Sequence, residues 1–526
     1  MKKRNAIFAF VLVLILLISA CAPAAAPTQA PGEAPAPAES SAAPAQPAAP
    51  VKDTLVVGLT ANPVSLDPFK TTDSPAGRVN YAIHETLVLR DAENNIVPGL
   101  AESWEIVDDV TYNFKIRQGV KFHNGEELTA EDVKFSFDQQ NGNPHAESVT
   151  GTVDFENSKV LDTYTFQLKM KEPFGPILQH LAHQVTSIVN KKAYTEAGEN
   201  YSDHPIGTGP YMFVEWKPDD YVKLNVFEDY WGKKGQIKEV LIRIIPESAT
   251  RSIEVESGGI DIAVQVSPSE VSRLESNPKV KVYFQESFTT NFVAMNTTRA
   301  PFDNVKVRQA INYAIDKEAI LKVVYQGIGS VGSAPISPTV WGYNPNLPPF
   351  TYNPEKAKEL LAEAGYPDGF PMVITTDENQ VRRDVAEMVQ AQLSQVGIQI
   401  EIATLERGAY IGKVIAGELD MFVLGWSTFG DPDYALYASF HSTMHGASGN
   451  MSFYSNPEVD KLLEAGRRSV DEASRLEAYT KAQEIIWDES PCVFIQHYVE
   501  VTAYSADLQG FAVTPEGYFL FNEMHY

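Results

Sequence analysis

The sequence predicts an α/β protein, and three observations predict it. Helix and strand signals alternate from 300 to 425, strand and turn signals dominate roughly 86 to 125 and 205 to 245, and similar β-rich apolar runs recur throughout. About 475 residues follow the first fifty, and with 44% hydrophobic residues in the chain they suffice for two or three compact domains.

The chain starts with an address. Lys2, Lys3 and Arg4 precede an apolar run from Ala6 to Ile18, which ends in Ile18-Ser19-Ala20-Cys21, the pattern of a bacterial lipoprotein export signal. The run falls short of the ~20 apolar residues a membrane helix needs, so cleavage after residue 20 and lipidation of Cys21 are expected. From Ala22 to Pro50, 21 of 29 residues are Ala or Pro with no large apolar side chain, which predicts an extended linker. Folding therefore begins near Val51, outside the cytoplasm, on a tether. A net charge of −26 repels phosphate backbones and anionic lipid heads, and so argues against nucleic acid and against electrostatic membrane docking. With Cys21 committed to lipid, Cys492 stands alone beside Pro491 and Val493-Phe494, where an inert buried thiol is expected and no disulfide can form.

Thr54 to Thr60 (TLVVGLT) reads as a buried strand that ends at Ala61-Asn62-Pro63. Asn353 can cap a helix with Pro354 at its first position, and Gly365 can close it. Met372 to Thr376 follows as a strand, and Val381, Val385, Met388, Val389 and Leu393 recur at helical spacing until Gly397. Ile398, Ile400 and Ile402 then alternate as a strand does, Tyr410 to Ala416 is a short helix, and Met421 to Leu424 is another buried strand. This β-α-β-α-β succession implies a largely parallel sheet, whose ligands sit beyond the carboxyl ends of its strands. The loops Ala61 to Asp67, Asp377 to Arg383 and Trp426 to Tyr434 lie at such ends. The last combines Trp426, Phe429 and Tyr434 with Asp431 and Asp433, aromatic walls beside hydrogen-bond acceptors. Arg382 and Arg383 open the helix after 377, where a guanidinium beside free N–H groups suits a ligand carboxylate and at least one of the two must face outward.

Other motifs read as structure. Gly327-Ile328-Gly329-Ser330-Val331-Gly332 matches a dinucleotide glycine pattern, yet a helix (317 to 325) precedes it and Pro335 and Pro338 forbid one after it, so a loop is expected. His441 and His445 stand four apart and could hold nickel or zinc, but Ser442-Thr443 and Gly446 are poor helix material. The acids at 126–127 and 131–132 suit a solvated helix start. No HExxH, GxSxG or phosphate-loop pattern occurs, so nothing requires an enzyme or a cofactor.

With these residues in view, the chain resembles the bacterial solute-binding proteins of the peptide, oligopeptide and nickel family, which feed ABC importers. The resemblance rests on Ile96 to Glu105, Gly119 to Asp138, Asn304 to Ile315, Ala364 to Phe370 and Phe453 to Leu463, and Ala482 to Pro491 looks most like the glutathione-binding branch. It implies a two-lobed, class II periplasmic-binding-protein-like fold with a hinge. Lobe I would take 52–292 plus 497–526, with a subdomain near 88–204, and lobe II would take 293–496. It further implies a ligand cleft lined by the segment at Asn62, by Thr290, Asn291 and Phe292, and by the loop from Trp426 to Tyr434. Peptide binders of the family usually carry an aspartate three residues after the tryptophan; Phe429 stands there, and Asp431 or Asp433 is expected to replace it in pairing the ligand amine, with Arg382 or Arg383 on a carboxylate. The expectation is a lipid-anchored, monomeric binder outside the cytoplasm that captures a small peptide, possibly glutathione, and delivers it to an ABC permease and ATPase complex, with no cofactor. A nickel or metal-chelate binder of the same fold, a surface hydrolase and a stalked adhesin are the rivals.

Overall fold

The computed structural model describes residues 52–446 and 449–526. The export signal, Cys21 and the Ala/Pro linker lie outside the described residues.

Local chemistry sets the α/β unit of the second half. Asn353 accepts the Lys356 N–H and caps the helix Pro354–Glu363, and Gly365 follows with φ +92°, a left-handed conformation that suits glycine. Asn379 does the same for Gln380–Ser394, which buries Val385, Val389 and Leu393 on one face and ends before Gly397 at φ +90°. The strand Pro371–Asp377 runs parallel to both Gln399–Leu405 and Met421–Trp426, as the succession required, and the ends at Asp377, Leu405 and Trp426 share one edge of the sheet. The intervening helix starts at Arg407, three residues before the expected Tyr410, because the Glu406 carboxylate accepts the N–H groups of Gly408 and Ala409.

Two long antiparallel strands, Val280–Met295 and Cys492–Ser505, carry the sheet through both lobes. Residues 280–286 pair with 499–505, and 290–294 pair with 492–497, with a break in register between Glu286 and Thr290. At the break Ser287 Oγ donates to the Tyr498 carbonyl and accepts from the Thr289 N–H, which turns a side chain into a ladder partner and lets the strand bend. On one side of it the first strand, Thr54–Leu59, lies parallel between Glu239–Ile244 and Ile262–Ala263 in lobe I. On the other, Met421–Trp426 joins the sheet antiparallel to 290–295.

Separate cores mark the bodies so joined. Lobe I packs around Leu55, Val57, Val240 and Ile242, and lobe II covers both sheet faces, one with Val293, Ile374 and Val389, the other with Leu424, Tyr479 and Trp487. A four-stranded antiparallel sheet in the order 101–108, 111–116, 165–169, 159–162 has a core of its own at Phe114, Phe122, Phe137 and Phe166. The glycine-rich motif is a loop against the crossing strand. A Cβ on Gly332 would stand 2.3 Å from the Phe494 carbonyl oxygen, so glycine there permits close backbone approach and cradles no phosphate. Cys492 is free and buried in lobe II, and burial pushes its pKa up.

Where the extra sheet meets lobe I, Glu85 is buried beneath Tyr230 Oη (2.8 Å) and Trp231 Nε1 (2.9 Å). Burial pushes its pKa up to about 7, against the opposing effect of those donors. The folded state therefore holds a proton that the unfolded chain releases above pH 4.5, and the contribution of Glu85 to stability falls as pH rises towards 7, against the buried neutral histidines, whose contribution rises over the same range. In urea melts from pH 5 to 8 the unaltered chain should lose roughly 3 kcal/mol relative to Glu85→Gln; equal slopes in the two proteins would refute the assignment.

Candidate functional site

The carboxyl end of Met421–Trp426 delivers an aromatic ladder to the gap between the lobes. Trp426 stacks on Tyr434 at 6.2 Å and 21°, and Tyr434 lies 4.4 Å from Phe429. The indole Nε1 of Trp426 is buried and has no hydrogen-bond partner among the described residues. Phe429 crosses to lobe I. Its ring meets the imidazoles of His180 (5.0 Å, 82°) and His183 (5.3 Å), beneath the Arg90 guanidinium at 5.5 Å. Burial lowers the pKa of both histidines, that of His183 to about 3, so Phe429 meets neutral rings. Two further bonds close the same face: Asn94 Nδ2 donates to the Gly430 carbonyl at 3.0 Å, and the Gly175 N–H to the Arg467 carbonyl at 2.9 Å.

The loop's carboxylates are engaged from below. Arg475 grips both oxygens of Asp431 at 2.7 and 2.8 Å, and Arg467 forms a two-pronged pair with Asp433, both bonds 2.9 Å. The two acids are 1% and 0% exposed. Burial opposes the charge of each arginine, but the facing carboxylate wins and raises both pKa values. Asp431 and Asp433 therefore pin the loop to the helices Pro457–Arg468 and Glu472–Glu489, which corrects the expectation that one of them greets a ligand amine. Both would first have to lose a buried partner.

Arg382 is likewise occupied. Its Nε and Nη2 each reach Asp377 at 2.7 Å, and Arg407 takes the same carboxylate at 2.7 Å. Burial favours protonation of Asp377, yet the two arginines outweigh it and hold its pKa at about 2. Arg383 folds back on the Glu378 carbonyl and Gln380. Asn62 stands apart from the aromatic ladder: its Oδ1 accepts from Trp216 Nε1 (3.2 Å) and the Asp219 N–H (3.1 Å), fixing a hairpin of lobe I. On the crossing strand Thr290 bonds His497, Asn291 donates to Gln496 at 2.9 Å, and Phe292 packs on the core of lobe II. The two spaced histidines do not converge. His441 Nδ1 bonds Thr443 while His445 Nε2 bonds the Tyr454 carbonyl.

Lobe I contributes residues that no sequence pattern marks. The helix Ser74–Ile83 presents Arg78, which donates to Glu500 (2.5 Å) and the Gly517 carbonyl (2.8 Å), and Tyr81, whose ring meets Tyr518 at 5.3 Å. Arg90 pairs Glu516 two residues before Tyr518, so this group is linked through Arg90 to Phe429. Gly77 allows the helix to come close, since a Cβ there would stand 2.7 Å from Gln184 Oε1 and 2.8 Å from the Tyr518 ring. Gln184 is buried and both its amide atoms lack partners among the described residues. The arrangement offers aromatic faces and neutral amides, suited to holding a solute and lacking an activated nucleophile among the residues named.

Structural duty for Asp431 has a measurable consequence. Asp431→Ala should cost about 3–5 kcal/mol in urea unfolding, because Arg475 would remain buried and unpaired, and Asp431→Leu with Arg475→Met should recover most of it. An Asp431→Ala protein that loses ligand affinity but no stability would restore the amine-pairing role.

Comparison with known proteins agrees with this architecture. The model of bacterial extracellular solute-binding proteins, family 5, matches residues 95–446. The glutathione-binding protein GsiB of Pectobacterium atrosepticum is 33% identical over 497 residues, 92% of this chain and 96% of the relative. Heme-binding protein A of Haemophilus influenzae is 34% identical over 461 residues, covering 82% of this chain and 84% of the relative. Among solved structures, the ABC transporter-associated periplasmic binding protein DppA of Helicobacter pylori, in complex with the peptide STSA, superposes with a TM-score of 0.78 at 32% identity, covering 90% of this chain and 98% of DppA. The lobes, the crossing strands and the extra sheet are thus a family's shared frame, and the chain belongs to the bacterial extracellular solute-binding proteins of family 5.

Proposed function

We propose that the protein captures a small peptide between its lobes and hands it unchanged to an ABC permease. The observation that carries this reading is the aromatic ladder Trp426–Tyr434–Phe429, which starts at a strand end in lobe II and finishes against His180 and His183 in lobe I. A solute held beside it touches both lobes and favours their closed arrangement, the condition for a ligand-driven population shift. Relatives named for glutathione and dipeptides, and a neighbour solved with the peptide STSA, support a peptide and make glutathione the first candidate. Trp426, Phe429 and Tyr434 form the wall of this site. Thr290, Asn291 and Phe292 shape the strand beneath it, and Arg382, Arg383, Asp431 and Asp433 act as its scaffold. The proposed cycle is bind, close, dock and release, with no bond made or broken. Cys21 carries the lipid that holds a monomer at the outer face of the membrane, and 52–292 with 497–526 move against 293–496.

Thermal unfolding with glutathione, a set of di- to tetrapeptides and nickel–histidine tests the reading. A cognate peptide at 100 times its dissociation constant should stabilise the fold by about 2.7 kcal/mol, and mass spectrometry should recover it intact. No shift with any peptide, a shift with nickel–histidine alone, or a cleaved ligand would each overturn the proposal.

A further inference from the structure

Around the interlobe gap the named charges are engaged, while one buried amide, that of Gln184, is not. Arg78 pairs Glu500, Arg90 pairs Glu516, Arg382 and Arg407 share Asp377, Arg467 holds Asp433 and Arg475 holds Asp431. A peptide's ammonium or carboxylate arriving here must break one of these pairs and strand its partner, which is costly in a buried setting. Gln184 presents the opposite case. It is 5% exposed, and both Nε2 and Oε1 lack partners among the described residues. A buried amide in that state is an unmet demand for one donor and one acceptor.

Gln184 lines a cavity of about 130 Å³ together with Tyr81, His84, Glu85, Tyr230 and Phe519. This is room for a few waters or for a small amide group. His84 also lacks a partner at Nδ1, and its Nε2 bonds Tyr201. Burial, helped by His123, lowers the His84 pKa to about 3, so this imidazole is neutral. The Glu85 carboxyl is already held by Tyr230 and Trp231. The cavity thus has the donor and acceptor pattern of an amide receptor. The cavity is lined by lobe I alone, and Gln184 brings it near the cleft because its neighbours in the chain, His183 and Val185, pack against Phe429.

We infer that Gln184 and this cavity receive an uncharged amide of the bound peptide, so that recognition rests on amide hydrogen bonds and aromatic contact and not on ion pairs to the peptide's ends. The inference rests on the peptide reading above and names its substrate class: peptides whose ends are blocked or cyclised are bound along with free ones. One Gln184 amide paired to one peptide amide satisfies both groups in a single exchange, whereas a charged end leaves Gln184 unmet.

Calorimetry separates the two levels of the claim. A panel of Ala-Xaa dipeptides and glutathione identifies the tightest binder, which is then compared with its N-acetylated, C-amidated form. Affinities within threefold are expected. A loss of 30-fold or more on blocking overturns the inference and leaves the peptide reading standing, while a panel without a single binder overturns both. Gln184→Met should weaken the free and blocked forms alike by tenfold or more; unchanged affinity would refute the role of the side chain. Should Gln184→Met fail to fold, the comparison of free and blocked ligand on the unaltered chain decides alone.

Discussion

Two strands that belong to both lobes constrain everything else in this molecule. Because 280–295 and 492–505 pair on either side of the break at Ser287, each lobe keeps its own run of ladder while the pairing is interrupted at the joint. The break also fixes where a ligand can act. Parallel strands of lobe I run towards it from one side and those of lobe II from the other, so their carboxyl-end loops face the same gap. Ordinary sheet geometry, which puts ligands at carboxyl ends, thereby places one site between two bodies.

The buried ion pairs of the loop and of the helix Ser74–Ile83 each form within one lobe, and none of them spans the gap. Asp431–Arg475 and Asp433–Arg467 are pairs internal to lobe II, and Arg78–Glu500 is internal to lobe I. Across the gap lie an aromatic ring on two uncharged imidazoles with the Arg90 guanidinium over it, an asparagine amide on a carbonyl, a backbone bond and a solvent-exposed ion pair, Glu172–Arg468 at 3.6 Å. Such a division has a physical logic. A buried ion pair split by opening would leave two desolvated charges and lock the lobes together, whereas Phe429 and Asn94 lose little more than contact area and one bond that water replaces. Closure can then be decided by a ligand's modest binding free energy.

The sequence made the α/β unit legible because its signals are local. Asn353, Pro354 and Gly365 act within one helix, and the alternation of Ile398, Ile400 and Ile402 acts within one strand. The duties of the site residues were not legible where partners are distant. Asp431 and Asp433 looked like free acceptors because Arg475 and Arg467 lie 44 and 34 residues away. Asn62 is claimed by Trp216, 154 residues on. Arg382 is a different case, since Asp377 lies only five residues before it and closes over the same helix start; an acid at the strand end was a readable rival for that guanidinium. Gln184 left no trace at all, because one buried amide in a short turn has neither period nor motif.

The overall charge bears on the same point. A chain of net charge −26 sets a field that opposes anionic solutes and attracts cationic ones, although salt screens it beyond ~8 Å at physiological ionic strength. Selection by long-range attraction would therefore favour amines, yet Asp431 and Asp433, the acids of the aromatic loop, are already paired with Arg475 and Arg467. Discrimination must then come at contact range, from groups whose worth does not depend on the ligand's net charge. Stacking on Trp426 and Tyr434 and hydrogen bonding to a neutral amide are interactions of that kind, and they are available to peptides of any charge that fit the gap. Under the proposed recognition, breadth of substrate would follow from the pairing of Asp431, Asp433 and Glu500 with arginines of their own lobe.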